Sequence, residues 1–115
     1  METIMIVEDD PDIRNSLNWF LQDEGYPVIT AKNGKDALKK LENVKPGLVL
    51  LDLMMPVMNG WEFLDEKNES EKIAKIPVLV ISAIAGNAHV KGTLGFMRKP
   101  LDLNRIMDFA ELYCA

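Results

Sequence analysis

The sequence predicts an α/β domain built on an open parallel sheet with helices on both faces. Three observations carry this. Five short apolar runs stand out, most of them continuous rather than alternating and three of them rich in Val and Ile. That is the pattern of strands covered on both faces. Stretches with helical spacing of apolar residues separate the runs, and strand–helix alternation repeated five times implies right-handed crossovers between parallel strands. No internal repeat, low-complexity tract or linker interrupts the 115 residues, so one domain over 1–115 is expected.

The first run is Thr3–Val7. Asp10-Pro11 then reads as an N-cap followed by proline at the first helical position. Ile13, Leu17, Phe20 and Leu21 recur as one apolar stripe, and Gly25 closes that helix. The second run is Pro27–Ala31, and Asn33 begins a second helix with Ala37, Leu38 and Leu41 inward. Gly47–Leu51 is the third run. Asn59 with Glu62 makes a capping box for a third helix, followed by a run Asp65–Lys72 expected to be solvated. Pro77–Ser82 is the fourth run; like Pro27, Pro77 opens its run, where a missing N–H is tolerated. Ala85–Gly92 has two glycines and little amphipathicity, so a short or irregular helix is expected there. After the fifth run, Leu94–Met97, Asp102 caps a last helix with Ile106, Phe109, Ala110 and Tyr113 as its stripe.

Composition excludes several classes of function. Thirteen basic against eighteen acidic residues give a net charge of −5, and no basic cluster exceeds two residues (Lys39-Lys40, Arg98-Lys99). Direct nucleic-acid binding, which needs phosphate-neutralising charge, is not expected. The apolar runs fall far short of the roughly 20 residues that span a bilayer, and no signal peptide opens the chain. No membrane partner is expected. One cysteine, Cys114, rules out an internal disulfide and points to a reducing cytoplasm.

In open parallel sheets ligands sit beyond the carboxyl ends of the strands. Glu8, Asp9 and Asp10 follow the first run, Asp52 ends the third, Ser82 the fourth, and Lys99-Pro100 follows the fifth. A carboxylate abutting Leu48–Leu51 is costly without compensation. Converging carboxylates repel one another, and a hard divalent cation preferring oxygen compensates them; Mg2+ needs few protein carboxylates. Taken singly, Glu8-Asp9-Asp10-Pro11 reads equally as acids complementing a helix N-terminus, Ser82 as a turn hydroxyl and Lys99 as a solvated charge. Acids, hydroxyl and lysine at one edge of one sheet point instead to a shared chemistry.

The motifs Ile6-Val7-Glu8-Asp9-Asp10, Leu51-Asp52-Leu53-Met54-Met55-Pro56-Val57-Met58-Asn59-Gly60, Val80-Ile81-Ser82-Ala83 and Arg98-Lys99-Pro100-Leu101 resemble the receiver domain of two-component response regulators. The resemblance covers nearly the whole chain. It implies a three-layer, doubly wound (βα)5 flavodoxin-like fold with a five-stranded parallel sheet of order 2-1-3-4-5, bringing Glu8, Asp9 and Asp52 together. It implies that Asp52 is the phosphoryl acceptor, a carboxylate nucleophile. Mg2+ would be held by Asp9 and Asp52, by Glu8 through water, and by the backbone carbonyl of Met54, while Asp10 only caps its helix. Ser82 resembles the switch hydroxyl, Lys99 the lysine that pairs with the phosphoryl group, and Lys99-Pro100 a cis bond. Phe96 resembles the switch aromatic, although a buried strand side chain is equally compatible with its position. The implied protein is a phosphorylation-dependent binding module and not a turnover enzyme. Its implied partners are a histidine kinase or histidine phosphotransfer protein and an unknown downstream protein target.

The chain departs from the family in one segment. Only 17 positions separate Ser82 from Lys99, fewer than is usual, and Gly86, Gly92 and Gly95 suggest a looser stretch. Partner recognition is therefore expected to use another face or a reordering of 84–96. Receivers tune dephosphorylation at the positions of Met54 and Ile84, and both are apolar here. A phosphoryl lifetime not shortened by side-chain assistance is implied. With no output domain in these residues, output through protein contact or service as a phosphate sink is expected. The alternative is a Mg2+-dependent phosphatase with an aspartyl nucleophile. Such enzymes usually carry the nucleophile on the first strand with a second Asp two residues on, a spacing Glu8-Asp9-Asp10-Pro11 lacks. A flavin or nucleotide carrier would need a Gly-rich or Ser/Thr-rich phosphate loop after the first run. His89 has no Cys or His neighbour at ligand spacing. Trp19 is expected to be partly buried, Trp61 to pack near the site, and the seven methionines to give adaptable packing.

Overall fold

Every apolar run becomes a strand, and all neighbouring strands pair in parallel in the order β2-β1-β3-β4-β5. The computed structural model describes residues 1–83 and 90–115. Its elements are β1 (Ile4–Val7), α1 (Pro11–Asp23), β2 (Val28–Ala31), α2 (Gly34–Lys40), β3 (Leu48–Asp52), α3 (Gly60–Glu69), β4 (Val78–Ser82), β5 (Gly95–Arg98) and α4 (Leu103–Cys114). The helix expected over Ala85–Gly92 falls mostly outside the described residues, as do Ile84, Gly86 and His89. Gly95, within the fifth apolar run, opens β5 opposite Leu79.

Two cores explain why the strands read as continuous apolar runs. Met5, Val7, Val49, Leu51, Val78 and Val80 point to one face, where they pack with Ala37 and Leu41 near α2 and with Phe63 and Leu64 of α3. Ile4, Ile6, Leu48, Leu50, Leu79 and Ile81 point to the other, under Leu17 and Leu21 of α1 and Ile106 and Ala110 of α4. Side chains alternate faces with period two, and both faces are covered, so no polar alternation survives in the sequence. The chain ends join below the sheet, where the Glu2 N–H donates to the Cys114 carbonyl at 2.8 Å.

Helix starts follow the caps. The Asp10 carboxylate accepts from the Asp12 and Ile13 amides at 2.9 and 3.4 Å. The Asn33 side chain accepts from Asp36 N–H at 2.8 Å. Asn59 and Glu62 bond reciprocally, at 2.9 and 3.1 Å, as a full capping box. Asp102 accepts from Asn104 N–H at 3.0 Å. Gly25 follows α1 at φ +96°, a left-handed conformation that suits glycine.

Three side chains depart from expectation. The Asp65–Lys72 run is not wholly solvated: α3 continues through Glu69, and Lys67 is 1% exposed. Lys67 lies four residues after Phe63 and so shares its inward face. Its stem is buried with it, and its Nζ donates to the Ala74 carbonyl at 2.7 Å. Burial pushes its pKa down. Lys67→Ala removes both the packed stem and the donor to Ala74, so a loss of about 3 kcal/mol is expected by urea unfolding. A loss under about 1 kcal/mol would show the ammonium to be incidental. Trp19 is 70% exposed, because it stands on the side of α1 away from Leu17 and Leu21. Trp61, in the first turn of α3, is 41% exposed rather than packed away. Among the described residues no helix is long and apolar enough to cross a membrane.

Candidate functional site

The site forms where β1 and β3 end side by side. Val7 is in register with Leu51, so the next residues, Glu8 and Asp52, meet at the carboxyl rim. Glu8 N–H still bonds Ala31 O at 3.0 Å, which keeps Glu8 within the sheet and buries it fully. Asp52 is 4% exposed. Asp9 turns out of the strand and is the most accessible of the three acids. Arg14 fixes this turn from α1, donating through Nη1 to the carbonyls of Glu8 at 2.9 Å and Asp9 at 3.3 Å. Nothing in the sequence distinguishes that arginine from one on a solvated helix face.

Lys99 enters from the other side. β4 and β5 pair Ser82 with Arg98, and Lys99 N–H extends the ladder to Ser82 O at 2.8 Å. The Lys99 ammonium reaches Glu8 Oε1 at 2.5 Å and Asp52 Oδ2 at 3.6 Å. The Lys99-Pro100 bond is cis. Ser82 is buried at the end of β4, one residue past the Asp52–Ile81 pair. Met54 is 61% exposed at the mouth, and its N–H approaches Asp52 Oδ1 at 3.5 Å. Phe96 lies opposite Val80 and is half-buried against the α2–α3 core.

The loop after Asp52 returns tightly to its strand. Gly60 N–H bonds Leu53 O at 2.9 Å, and a Cβ on Gly60 would stand 2.6 Å from the Asp52 carbonyl. Only glycine lets α3 start so close to that strand, a role its place after the Asn59 cap hints at. Within the loop Met58 N–H bonds Pro56 O at 2.8 Å around Val57, whose φ is +69°.

Carboxylate oxygens of Glu8, Asp9 and Asp52 lie within 4.8 Å of one another. Three hard oxygen donors so placed could hold a divalent cation of the Mg2+ or Ca2+ kind. Burial, then the hydrogen bond and charge of Asp52, raise the Glu8 carboxyl above its ordinary 4.5, against the pull of Lys99. Burial and Glu8 raise Asp9 as well. For Lys99 burial works downward, but the bond to Glu8 and the charges of Glu8 and Asp52 carry it above 10.5. Glu8, Asp9 and Lys99 therefore hold protons more tightly folded than unfolded. Stability from a raised carboxyl is complete below its unfolded value and is lost as pH rises through the folded one. Without divalent cation, Glu8→Gln is expected to be more stable than the wild type near pH 7.5, with the gap closing by about pH 4. Urea unfolding at several pH values measures this; a pH-independent gap would contradict it.

Residues 4–111 match the family model described as the response regulator receiver domain. The chain is 34% identical over 116 residues to an uncharacterized 14.6 kDa protein of Leptolyngbya boryana, covering 96% of this chain and 88% of that one. It is 42% identical over 81 residues to response regulator RR06 of Streptococcus pneumoniae, covering 70% and 36%. The match thus spans little more than a third of the length of that relative. Response regulator protein TrrA of Thermotoga maritima, solved in complex with Mg2+-BeF, superposes with a TM-score of 0.85 at 28% identity, covering 98% and 99%.

Proposed function

The chain belongs to the response regulator receiver domain family, and from that premise we propose that it works in the cytoplasm as a single phosphoacceptor module over 1–115. It takes a phosphoryl group from a histidine kinase or histidine phosphotransfer protein onto Asp52. One observation carries the reading: three carboxylates and the Lys99 ammonium converge on one rim of the sheet. In the transfer an Asp52 oxygen attacks phosphorus in line. The new P–O bond forms as the donor P–N bond breaks, and the departing imidazole keeps its electron pair and takes a proton.

The all-oxygen donor set fits Mg2+, which Glu8, Asp9, Asp52 and the Met54 carbonyl would hold. When bound it neutralises charge on the transferred oxygens. Lys99, shared between Glu8 and Asp52, supplies the second cationic contact. The Ser82 hydroxyl donates to a phosphoryl oxygen, and its shift opens space that Phe96 fills, a two-state packing element biased by about two added negative charges. The apolar Met54 at the mouth gives no hydrogen bond to an attacking water. Binding to a downstream protein then changes. The module assists its own phosphorylation without turning over a substrate and makes no nucleic-acid contact of its own.

Incubation with a small phosphodonor and Mg2+, followed by intact mass, tests this reading: one phosphoryl adduct per chain is expected. Turnover of phosphate esters with no adduct would favour the phosphatase alternative. The donor's route is the apolar groove beside Lys99, lined by Ile13, Ser16, Leu17, Pro100, Leu101 and Leu103. A second groove that shares Ser16 and Leu103 with it is lined by Trp19 and Phe20. Exposed tryptophans in such grooves are frequent anchors. Trp19→Ala is expected to slow transfer from a phosphohistidine protein about tenfold or more while leaving labelling by the small donor unchanged. Equal slowing with both donors would remove Trp19 from the docking route.

A further inference from the structure

We propose, on the receiver reading given above, that Gly34 at the start of α2 is a positioning residue for the cation site: it latches the loop between β3 and α3 that carries Met54. The Gly34 N–H donates to the Met58 carbonyl at 3.0 Å. Among the described residues this is the only backbone bond that ties residues 54–58 to another element. The contact leaves no room for a side chain. A Cβ at position 34 would stand 2.8 Å from Met58 Cγ and 3.0 Å from the Met58 carbonyl oxygen, and Gly34 is itself buried.

The loop needs such a hold. Val57 has φ +69°, a left-handed conformation that a β-branched residue rarely takes. Strain of this kind persists only where neighbouring structure over-determines it. Val57 is 75% exposed, so its own side chain supplies little packing and the restraint falls on its neighbours. The Pro56 ring fixes φ on one side, and the Met58 N–H returns to the Pro56 carbonyl at 2.8 Å. On the other side Met58 packs partly buried against the α2–α3 core, and its carbonyl takes the Gly34 bond. The donor is held firmly in turn. Asn33 accepts from the Asp36 N–H at 2.8 Å, and the Asp36 carboxylate accepts from the Lys32 N–H at 3.1 Å.

Met54 lies four residues before Met58, across the strained turn. A push on Met58 therefore travels through Val57 and Pro56 into the segment that carries the Met54 carbonyl, unless residue 57 absorbs it. Valine already at φ +69° has little freedom to do so, whereas glycine moves readily through that region. Glu8, Asp9 and Asp52 are placed by β1 and β3, so losing the latch weakens cation binding without abolishing it. Linkage makes the effect reciprocal: a latch that favours the cation is favoured by it to the same degree.

Titration of the full chain with MgCl2, followed by amide NMR, tests this. Gly34→Ala is expected to weaken Mg2+ binding about tenfold, and Gly34→Ala/Val57→Gly to return to within about threefold of the wild type. Alanine is the better helix former, so the loss does not come from helix propensity in α2. In the wild type, saturating Mg2+ is expected to slow hydrogen exchange of the Gly34 amide about tenfold. The Ala37 and Leu41 amides, bonded to Asn33 and Ala37 along the helix, keep their rates. This second measurement needs no variant and decides the matter even if Gly34→Ala does not fold. Wild-type affinity in Gly34→Ala, no recovery on adding Val57→Gly, or a Gly34 amide indifferent to Mg2+ would each overturn the latch and leave the receiver reading standing. A wild type that binds no Mg2+ would overturn that reading, and the latch with it.

Discussion

Asp52→Asn is expected to abolish phosphoryl incorporation, more than about a hundredfold, under conditions where the wild type is labelled. The amide keeps the shape of the carboxylate and loses its anionic nucleophile, so chemistry and packing are separated. Packing should not suffer. Asp52 stands within 4.8 Å of two other acids, and neutralising it lowers their mutual repulsion in the cation-free protein. Lys99 keeps Glu8, its nearer partner at 2.5 Å. The variant is therefore expected to unfold no earlier than the wild type in urea, to bind Mg2+ more weakly, and to show no adduct by intact mass. An adduct surviving on the variant would move the acceptor to another side chain, with Asp9 the first to examine.

Lys99→Met has the opposite signature, because it strikes stability first. Glu8 is fully buried and Lys99 is its only cationic partner among the described residues. Removing one member of a buried pair strands the other, at a cost of about 3 kcal/mol at neutral pH. The sign with pH follows from Glu8. Its carboxyl already sits above 4.5, and loss of the ammonium raises it further. The stranded carboxyl protonates as pH falls, so the deficit should shrink toward pH 4.5 and be largest near pH 8. Mg2+ should narrow it too, since a cation held by Glu8, Asp9 and Asp52 replaces the missing charge. A deficit unchanged by both pH and Mg2+ would mean that Lys99 stabilises the fold through its stem and not through Glu8.

The sheet was legible because its strands are buried on both faces, which leaves Leu48–Leu51 and Val78–Ile81 without polar alternation. Helix starts were legible because caps are local: Asp10, Asn33, Asn59 and Asp102 act within three residues of themselves. The meeting of Glu8, Asp9, Asp52 and Lys99 was legible through a topological rule about strand ends together with the family motifs. What escaped depends on tertiary placement. Lys67 sits in a charged stretch whose composition says solvent, and only its spacing from Phe63 hints at burial. Trp19 reads as apolar although its angle around α1 turns it outward. The clamp from Arg14 to the Glu8 and Asp9 carbonyls is set by the angle between α1 and β1, which no local pattern encodes.

The bond between Glu2 and Cys114 brings the two ends of the backbone to the same corner, at the rim opposite the acid cluster. A tether fixed at either end would therefore leave from the floor of the molecule and leave its upper mouth clear. Surface-immobilised protein should present Asp52 to solution equally well from either attachment point.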